Sequence, residues 1–327
     1  MKEVDFAVGW PIKEEDLFLK VLKQESKLKG IGFSIIYEKD LERLHYLVKR
    51  NKLKIKFFLD MASDSFNFND SFTKFVYALK DSDTKVVADP DSVKFSADKS
   101  ITHFNLLKAK IPVPYTIVIR HWEPMRQFSE EEREKLGFPF VVKPALGYGQ
   151  KGVAIINQKF SLKEIAKARE FNLGDNFLLQ EFVEPVIFEG RPAWFRVFYI
   201  FGEIFPCWWN PQTNEYKQVS LKDFSKYRLS ILAQIISEIG RITRVEFFSS
   251  EIALNKKDKR FVVVDYMNDQ CALYPKSQHA DGVPDELITL IGQRLVSKVW
   301  DYLKGKDTLS YRAVWFLKMK LKDEDVV

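Results

Sequence analysis

Short apolar runs alternate with amphipathic stretches over the first hundred residues. Residues 4–9, Gly32–Tyr37, Ile55–Leu59 and Lys85–Ala88 are brief, rich in β-branched and aromatic side chains, and read as strands. Between them, residues 13–28 place Leu17, Leu19, Val21, Leu22 and Leu28 among Lys and Glu. Asp40–Asn51 carries Leu41, Leu44, Leu47 and Val48 at helical spacing, and Asp70–Leu79 predicts a third helix. Strands alternating with helices imply a parallel sheet covered by helices, in a unit ending near residue 95, close to Asp89-Pro90-Asp91. The long polar loop Asp60–Asn69 would lie at the carboxyl edge of that sheet, where open α/β folds bind ligands.

The pattern then changes. Residues 98–110 read as a helix stopped by Ile111-Pro-Val-Pro114, followed by a strand, Tyr115–Ile119. The polar stretch His121–Lys135 is expected to be a loop with a short helix. Phe138–Val142 and Val153–Ile156 read as paired strands. Ser161–Phe171 is a helix with Glu164 at capping-box spacing, and Phe177–Val183 is a strand stopped by Pro185. An aromatic strand pair follows, Trp194–Phe201 and Glu203–Trp209, turning at Gly202. Beyond it come a helix at 222–240 ended by Gly240, strands Val245–Leu254 and Phe261–Tyr266 about the turn Asn255–Lys259, and a last long helix, Pro284–Leu303.

Composition narrows the class. With 327 residues, 46% apolar residues and 28 Phe, the chain can fill more than one core. The net charge of +6, from 51 Lys+Arg against 45 Asp+Glu, is spread along the chain, which argues against nucleic acid as the main partner and suits a small anion. Cys207 and Cys271 make no disulfide framework and no Cys-x-x-Cys, so reduced thiols and a cytoplasmic location are expected. Phe6–Trp10 is too short for a signal h-region, and no run approaches the ~18 apolar residues of a membrane span, so no membrane partner is expected.

Candidate chemistry centres on residues 137–153. Lys143 ends a buried strand, where a lysine is costly unless an anion meets it. Gly147, Gly149 and Gly152 follow directly, and glycine backbone can approach a phosphate closely. The spacing Gly147-x-Gly149-x-x-Gly152 also fits a dinucleotide fingerprint, but that needs a helix after the loop and a strand follows. The lack of His-Arg-Asp and Asp-Phe-Gly argues against a protein kinase. The plain alternative is a Gly-rich hairpin with an exposed lysine. Arg196, inside an apolar run, needs an anion, either a structural carboxylate or a ligand phosphate. Glu246, Glu251 and Asp265, with Asn268 and Asp269 just beyond, suit Mg²⁺, or else are edge acids pairing with nearby lysines.

In order along the chain, Asp98-Lys99, Ile111-Pro-Val-Pro114, Phe140-Val-Val-Lys-Pro144 with its glycine loop, Leu179-Gln-Glu-Phe-Val183, Phe195-Arg-Val-Phe, Ser250-Glu-Ile-Ala-Leu254 and Val264-Asp-Tyr-Met-Asn268 resemble the ATP-grasp superfamily. The likeness is to its carboxylate–amine and thiol ligases, distantly to glutathione synthetase, ribosomal S6 modification and D-alanine–D-alanine ligase enzymes. It implies an α/β plus α+β chain: an N-terminal parallel α/β domain over 1–95, a small lid subdomain over 96–184 and a C-terminal subdomain with the metal site over 185–327, the last two clamping ATP. By the same resemblance Lys99 and Lys143 meet the α/β phosphates and the loop Gly147–Gly152 folds over them. Gln180, Glu181, Phe182 and Val183 offer backbone to adenine, and Glu184 or Glu189 serves the ribose. Arg196 and Lys143 are the catalytic groups, and Glu251, Asp265 and Asn268 hold Mg²⁺, or Mn²⁺ in its place.

The sequence departs from the family's usual Glu-x-Asn in reading Asp265-Tyr-Met-Asn268. Strand period puts Asp265 and Asn268 on opposite faces unless a bulge intervenes, and Asp269 could replace the amide. The function implied is ATP-dependent joining of a small-molecule carboxylate to an amine or similar nucleophile through an acyl phosphate. A small-molecule kinase acting on a hydroxyl, or a non-catalytic nucleotide-binding protein, are the alternatives. Gln278 and His279 could reach the substrate, and a homodimer is left open. The loop that holds Tyr148, Gln150 and Lys151 is expected to be mobile without nucleotide.

Overall fold

A computed structural model describes residues 1–306 apart from 13–14, 124–125, 148, 150, 158–160 and 171. Strands β1 (Lys2–Gly9), β2 (Phe33–Ile36), β3 (Leu53–Asp60) and β4 (Lys85–Val87) form a parallel sheet in the order β2-β1-β3-β4. Helices α1 (Leu17–Leu28), α2 (Leu41–Lys49) and α3 (Ser71–Lys80) connect them. The start of the predicted helix at 13–14 lies outside the described residues, and α1 begins beyond Asp16, whose carboxylate accepts the Leu19 N–H at 3.0 Å. Along β1 the alternation is strict: Phe6 and Val8 enter one core with α1, and Ala7 enters the other with α2 and α3.

The stretch Asp89-Pro90-Asp91 opens a helix. Asp89 caps α4 (Pro90–Ala97), accepting from Ser92 N at 3.0 Å, and Pro90 occupies the first turn, where its missing N–H costs nothing. Helix α5 (Lys99–Lys108) follows directly.

The second sheet is antiparallel, with strands β5 (Thr116–Ile119), β6 (Phe140–Pro144), β7 (Ala154–Ile156) and β8 (Phe177–Glu181) in the order β5-β8-β6-β7. Helices α6 (Glu130–Leu136) and α7 (Leu162–Arg169) belong to the same stretch, and Leu136 and Ile165 join the core on one face of this sheet; the predicted end of α7 at Phe171 lies outside the described residues. β8 stops at Glu181 rather than Val183. The short ribbon β9 (Ile187–Phe188) and β10 (Arg191–Pro192) leads to the third sheet.

That sheet contains β11 (Trp194–Ile200), β12 (Glu203–Asn210), β13 (Glu215–Gln218), β14 (Phe247–Leu254) and β15 (Phe261–Asn268), in the order β13-β12-β11-β14-β15. β13 was not expected, because Glu-Tyr-Lys-Gln shows one apolar residue and no alternation to read. Odd residues of β11 (Phe195, Val197, Tyr199) face α9, and Phe198 and Ile200 face the first sheet. The last helix, α10 (Asp285–Leu303), packs back against α1, so the C-terminal part of the chain completes the core begun by the N-terminal sheet.

The single helix predicted over 222–240 is two, α8 (Leu221–Lys226) and α9 (Ser230–Thr243). Gly240 does not end α9 but sits inside it. A Cβ there would lie 2.8 Å from the Tyr199 ring, so the glycine serves close packing of α9 on β11. At an exposed helical site Gly→Ala stabilises by about 1 kcal/mol. At this site Gly240→Ala should destabilise by about 1–3 kcal/mol, read as a lower urea midpoint; an unchanged or higher midpoint would contradict the packing account.

Candidate functional site

Pairing register fixes what faces what. In the second sheet Val142 opposes Leu179 and, with Phe140 and Phe177, fills the core beneath α6 and α7. Lys143 opposes Leu178 and Val141 opposes Gln180, so these residues occupy the other face, toward the third sheet. Lys143 is only 7% exposed. Its Nζ donates to Gln180 Oε1 and to the Val264 carbonyl of β15, both at 2.9 Å. Gln180 Nε2 in turn donates to Thr116 Oγ1 and Tyr266 Oη, each at 3.1 Å, and Thr116 Oγ1 donates to the Pro114 carbonyl. The Tyr266 hydroxyl hydrogen is then left for His103 Nδ1, 2.8 Å away, which assigns the neutral histidine with its proton on Nε2.

Across the third sheet, Asp265, Glu251, Arg196, Cys207 and Gln218 stand in one row of directly opposed residues. Asn268 opposes Ser249 one step away. Between these pairings β15 holds one more residue than β14, a bulge that brings Asp265 and Asn268 to the same face. The bulge on which a shared face for Asp265 and Asn268 depends is therefore present. Arg196 Nη2 donates to Glu251 Oε1 and its Nη1 to Ser249 Oγ at 3.3 Å, while Trp194 Nε1 donates to Glu251 Oε2 at 3.1 Å. The Arg196 guanidinium lies 5.5 Å from the Trp209 ring centre. Lys99, at the first turn of α5, donates to the Gly147 carbonyl at 2.8 Å and stands 3.7 Å from Asp265 Oδ1.

The charges shift one another. Burial pulls the Lys143 ammonium down to about 8, with Asp265 opposing that shift. Burial, with Lys143 nearby, lowers His103 to about 4. Burial alone would raise Asp265, but Lys99, Lys143 and Arg196 outweigh it and hold the carboxyl below its ordinary value. Burial likewise works against the Arg196 charge, and Glu251 more than compensates, raising its pKa. Asp269 is pushed up to about 6 by burial and by Asp60.

The structure thus gathers Lys99, Lys143, Gly147, Gln180, Arg196, Glu251 and Asp265 at the seam of the second and third sheets, with Asn268 beside them. At Gly147 a Cβ would meet Pro144 Cγ at 2.4 Å, and Gly149 and Gly152 take positive φ of 57° and 72°. Tyr148 and Gln150 lie outside the described residues, and the expected loop mobility falls on them. Glu181 Oε1 accepts from Tyr115 N at 2.9 Å, while the backbone of Phe182 and Val183 runs on past the last ladder pair of β8. Glu184 is exposed and paired with Lys256, and Glu189, in the turn between β9 and β10, with Lys226. Neither has a bond to the Lys143 cluster among the described residues. Glu246 is instead tied to Lys85 of β4. Gln278 N donates to the Pro275 carbonyl at 3.0 Å. His279 stands against Tyr274, ring centres 5.3 Å apart.

Sequence reasoning did not single out His103, Thr116 or Tyr266, and no local signal marks them, since their partners come from distant parts of the chain. Among the described residues no group of three or more His, Cys, Asp and Glu is arranged to hold a metal ion, and no helix is long and apolar enough to cross a membrane.

Residues 96–205 match the family described as RimK-like ATP-grasp domain. No curated protein sequence matches the chain. A RimK domain ATP-grasp protein from Sphaerobacter thermophilus DSM 20745 superposes with a TM-score of 0.56 at 15% identity, covering 89% of this chain and 99% of that one. D-alanine–D-alanine ligase from Bacillus anthracis, complexed with ATP, gives 0.59 at 16% identity over 93% and 100% of the two chains. The ATP-grasp ligase PsnB, complexed with a minimal precursor, Mg and ADP, gives 0.57 at 11% identity over 91% and 99%. Read with the geometry of the three sheets, these likenesses identify the fold of this chain as ATP-grasp.

Proposed function

We propose that the protein is a Mg-ATP-dependent ligase that joins a carboxylate to an amine or similar nucleophile. The observation that carries this reading is that Lys99 and Arg196 pair with Asp265 and Glu251, and that the buried Lys143 lies within the field of both acids, at the seam between the two antiparallel sheets. The residues fit a polyphosphate and its metal ion. Lys143 makes two hydrogen bonds and has a third N–H to offer. Among the described residues Asp265 Oδ1 is buried with no hydrogen-bond partner, as is Arg196 Nε. Unspent buried groups of both signs suit a ligand that carries anionic oxygens and a cation together.

Bound Mg·ATP supplies the phosphoryl group that converts a carboxylate to an acyl phosphate, from which the nucleophile displaces inorganic phosphate. The chain's own work is positioning and charge neutralisation. Lys99 and Lys143 hold phosphate oxygens, and Arg196 faces the group being transferred. Asp265 and Asn268 hold the ion. Glu251 accepts one hydrogen bond on each oxygen, from Arg196 and from Trp194, so it orients the arginine and keeps a lone pair on each oxygen with which to join them. The backbone of Phe182 and Val183, past the last ladder pair of β8, is the edge offered to adenine. That a D-alanine–D-alanine ligase and the ligase PsnB share this fold supports a ligase over other uses of ATP.

ADP and phosphate release with Mg·ATP over a panel of carboxylates, amino acids and polyols tests the reading. A ligase frees both products only when acid and nucleophile are present together; ADP with a stable phosphorylated alcohol would mean a kinase. With the identified substrates, Lys143→Ala and Asp265→Ala should each cut turnover by about 100-fold or more. Wild-type rates in both would remove the site assignment.

The polar network behind Lys143 makes a prediction of its own. Folded His103 stays neutral down to about pH 4, whereas an unfolded histidine protonates near 6.5. Between those values the unfolded chain binds a proton that the native state refuses. Stability should therefore fall as pH drops through this window, by on the order of 3 kcal/mol from this residue. His103→Asn, which keeps an acceptor for Tyr266, should lose that part of the slope in urea titrations at pH 6.5 and 4; an identical slope would show that His103 is not the group responsible.

A further inference from the structure

The two edges of the parallel sheet differ. β4 is short, and its Lys85 is tied to Glu246, the residue before β14. β2 carries no such tie among the described residues. Phe6 N donates to the Gly32 carbonyl at 3.0 Å and Trp10 N to the Ile36 carbonyl at 2.9 Å, so the even-numbered residues of β2 pair with β1. The amides and carbonyls of Phe33 and Ile35 therefore point away from the sheet, to the open edge. Native edges are usually blunted by charge, proline or a bulge. The outward-pairing residues here are apolar.

Beside this edge lies an open groove of about 470 Å³. Ile31, Phe33, Ile35 and Tyr37 line one side at every second residue, and Glu15, Lys23 and Lys27 line the other. Glu15 is taken by Lys23 at 3.3 Å, and Lys27 makes no ion pair among the described residues. Lys39 stands 5.8 Å from the Tyr37 ring at one end. The groove thus combines a free strand edge, an apolar floor with the period of a strand and a cationic wall.

We propose that this edge is a docking site for an extended acidic peptide segment, which adds to β2 as a fifth strand. Its backbone pairs with Phe33 and Ile35, alternate apolar side chains enter the groove, and a carboxylate meets Lys27, beside the Lys23–Glu15 pair. β2 spans only Phe33–Ile36, so few backbone bonds form and the groove supplies most of the affinity. The proposal does not depend on the nucleotide site.

Fluorescence anisotropy with a short labelled peptide of alternating Val and Glu tests it on the full chain. Saturable binding is expected, weakened by about tenfold or more when Glu is replaced by Lys or when a central proline is introduced. Lys23→Glu with Lys27→Glu should reverse the preference toward the Val-Lys peptide. Ile35→Pro should abolish binding while sparing the β1 pairing, which does not use that N–H; if it fails to fold, the charge-reversed variant decides. No saturable binding, or no discrimination between the two peptides, overturns the proposal. So does concentration-dependent self-association lost in Ile35→Pro, which would make a second copy the occupant.

Discussion

Burying the Lys143 ammonium is the constraint on which the rest of the site depends. A charge with so little contact to water needs fixed acceptors. Its two acceptors come from different sheets, Gln180 from the second and the Val264 carbonyl from the third. The lysine is therefore satisfied only when the sheets are docked, and undocking would strand it. Gln180 can turn its oxygen to Lys143 only by turning its nitrogen elsewhere, and Thr116 and Tyr266 receive it. Tyr266 then needs His103, which is buried and neutral. One buried cation thus sets the orientation of four further side chains drawn from α5, β5, β8 and β15.

The third sheet solves the complementary problem, how to keep acids and an arginine together on a face that is otherwise apolar. On that face Phe198 and Ile200 are covered by the first sheet, whereas the row of Arg196, Glu251 and Asp265 lies where β15 meets Lys99. Glu251 and Asp265 stand side by side there, and each has its own cation, Arg196 for Glu251 and Lys99 for Asp265. Those two cations offset the repulsion between the acids, and among the described residues an excess of N–H donors and one bare carboxylate oxygen remain for something from outside.

Much of this fold is legible in the sequence, for identifiable reasons. β1, β3, α1 and α10 are read correctly because each buries a full face, and burial writes a period into the chain. Lys143 stands out because a lysine closing an apolar run is itself an anomaly. His103 and Tyr266 do not, since 163 residues separate two groups that satisfy each other. Gly240 is misread because glycine serves two ends, stopping a helix or letting one approach a ring, and only the Tyr199 contact tells them apart. Asp89-Pro90 is ambiguous for a like reason: a dipeptide that reads as a loop also opens a helix. α8 and α9 merge in sequence because the break at residues 227–229 carries neither glycine nor proline.

The bulge in β15 bears on how sites of this kind are found. Relative to β14, β15 is longer by two residues between the Ser249–Asn268 and Leu254–Phe261 pairs. What is maintained is the row of oxygens on one side of the sheet, while the count of residues between them is free to change wherever a strand can swell. A search that fixes the interval between acid and amide treats an insertion here as a lost site. One that asks which residues stand opposite Arg196 and Ser249 recovers it, because the geometry is written in the pairing and the spacing is only one of its spellings.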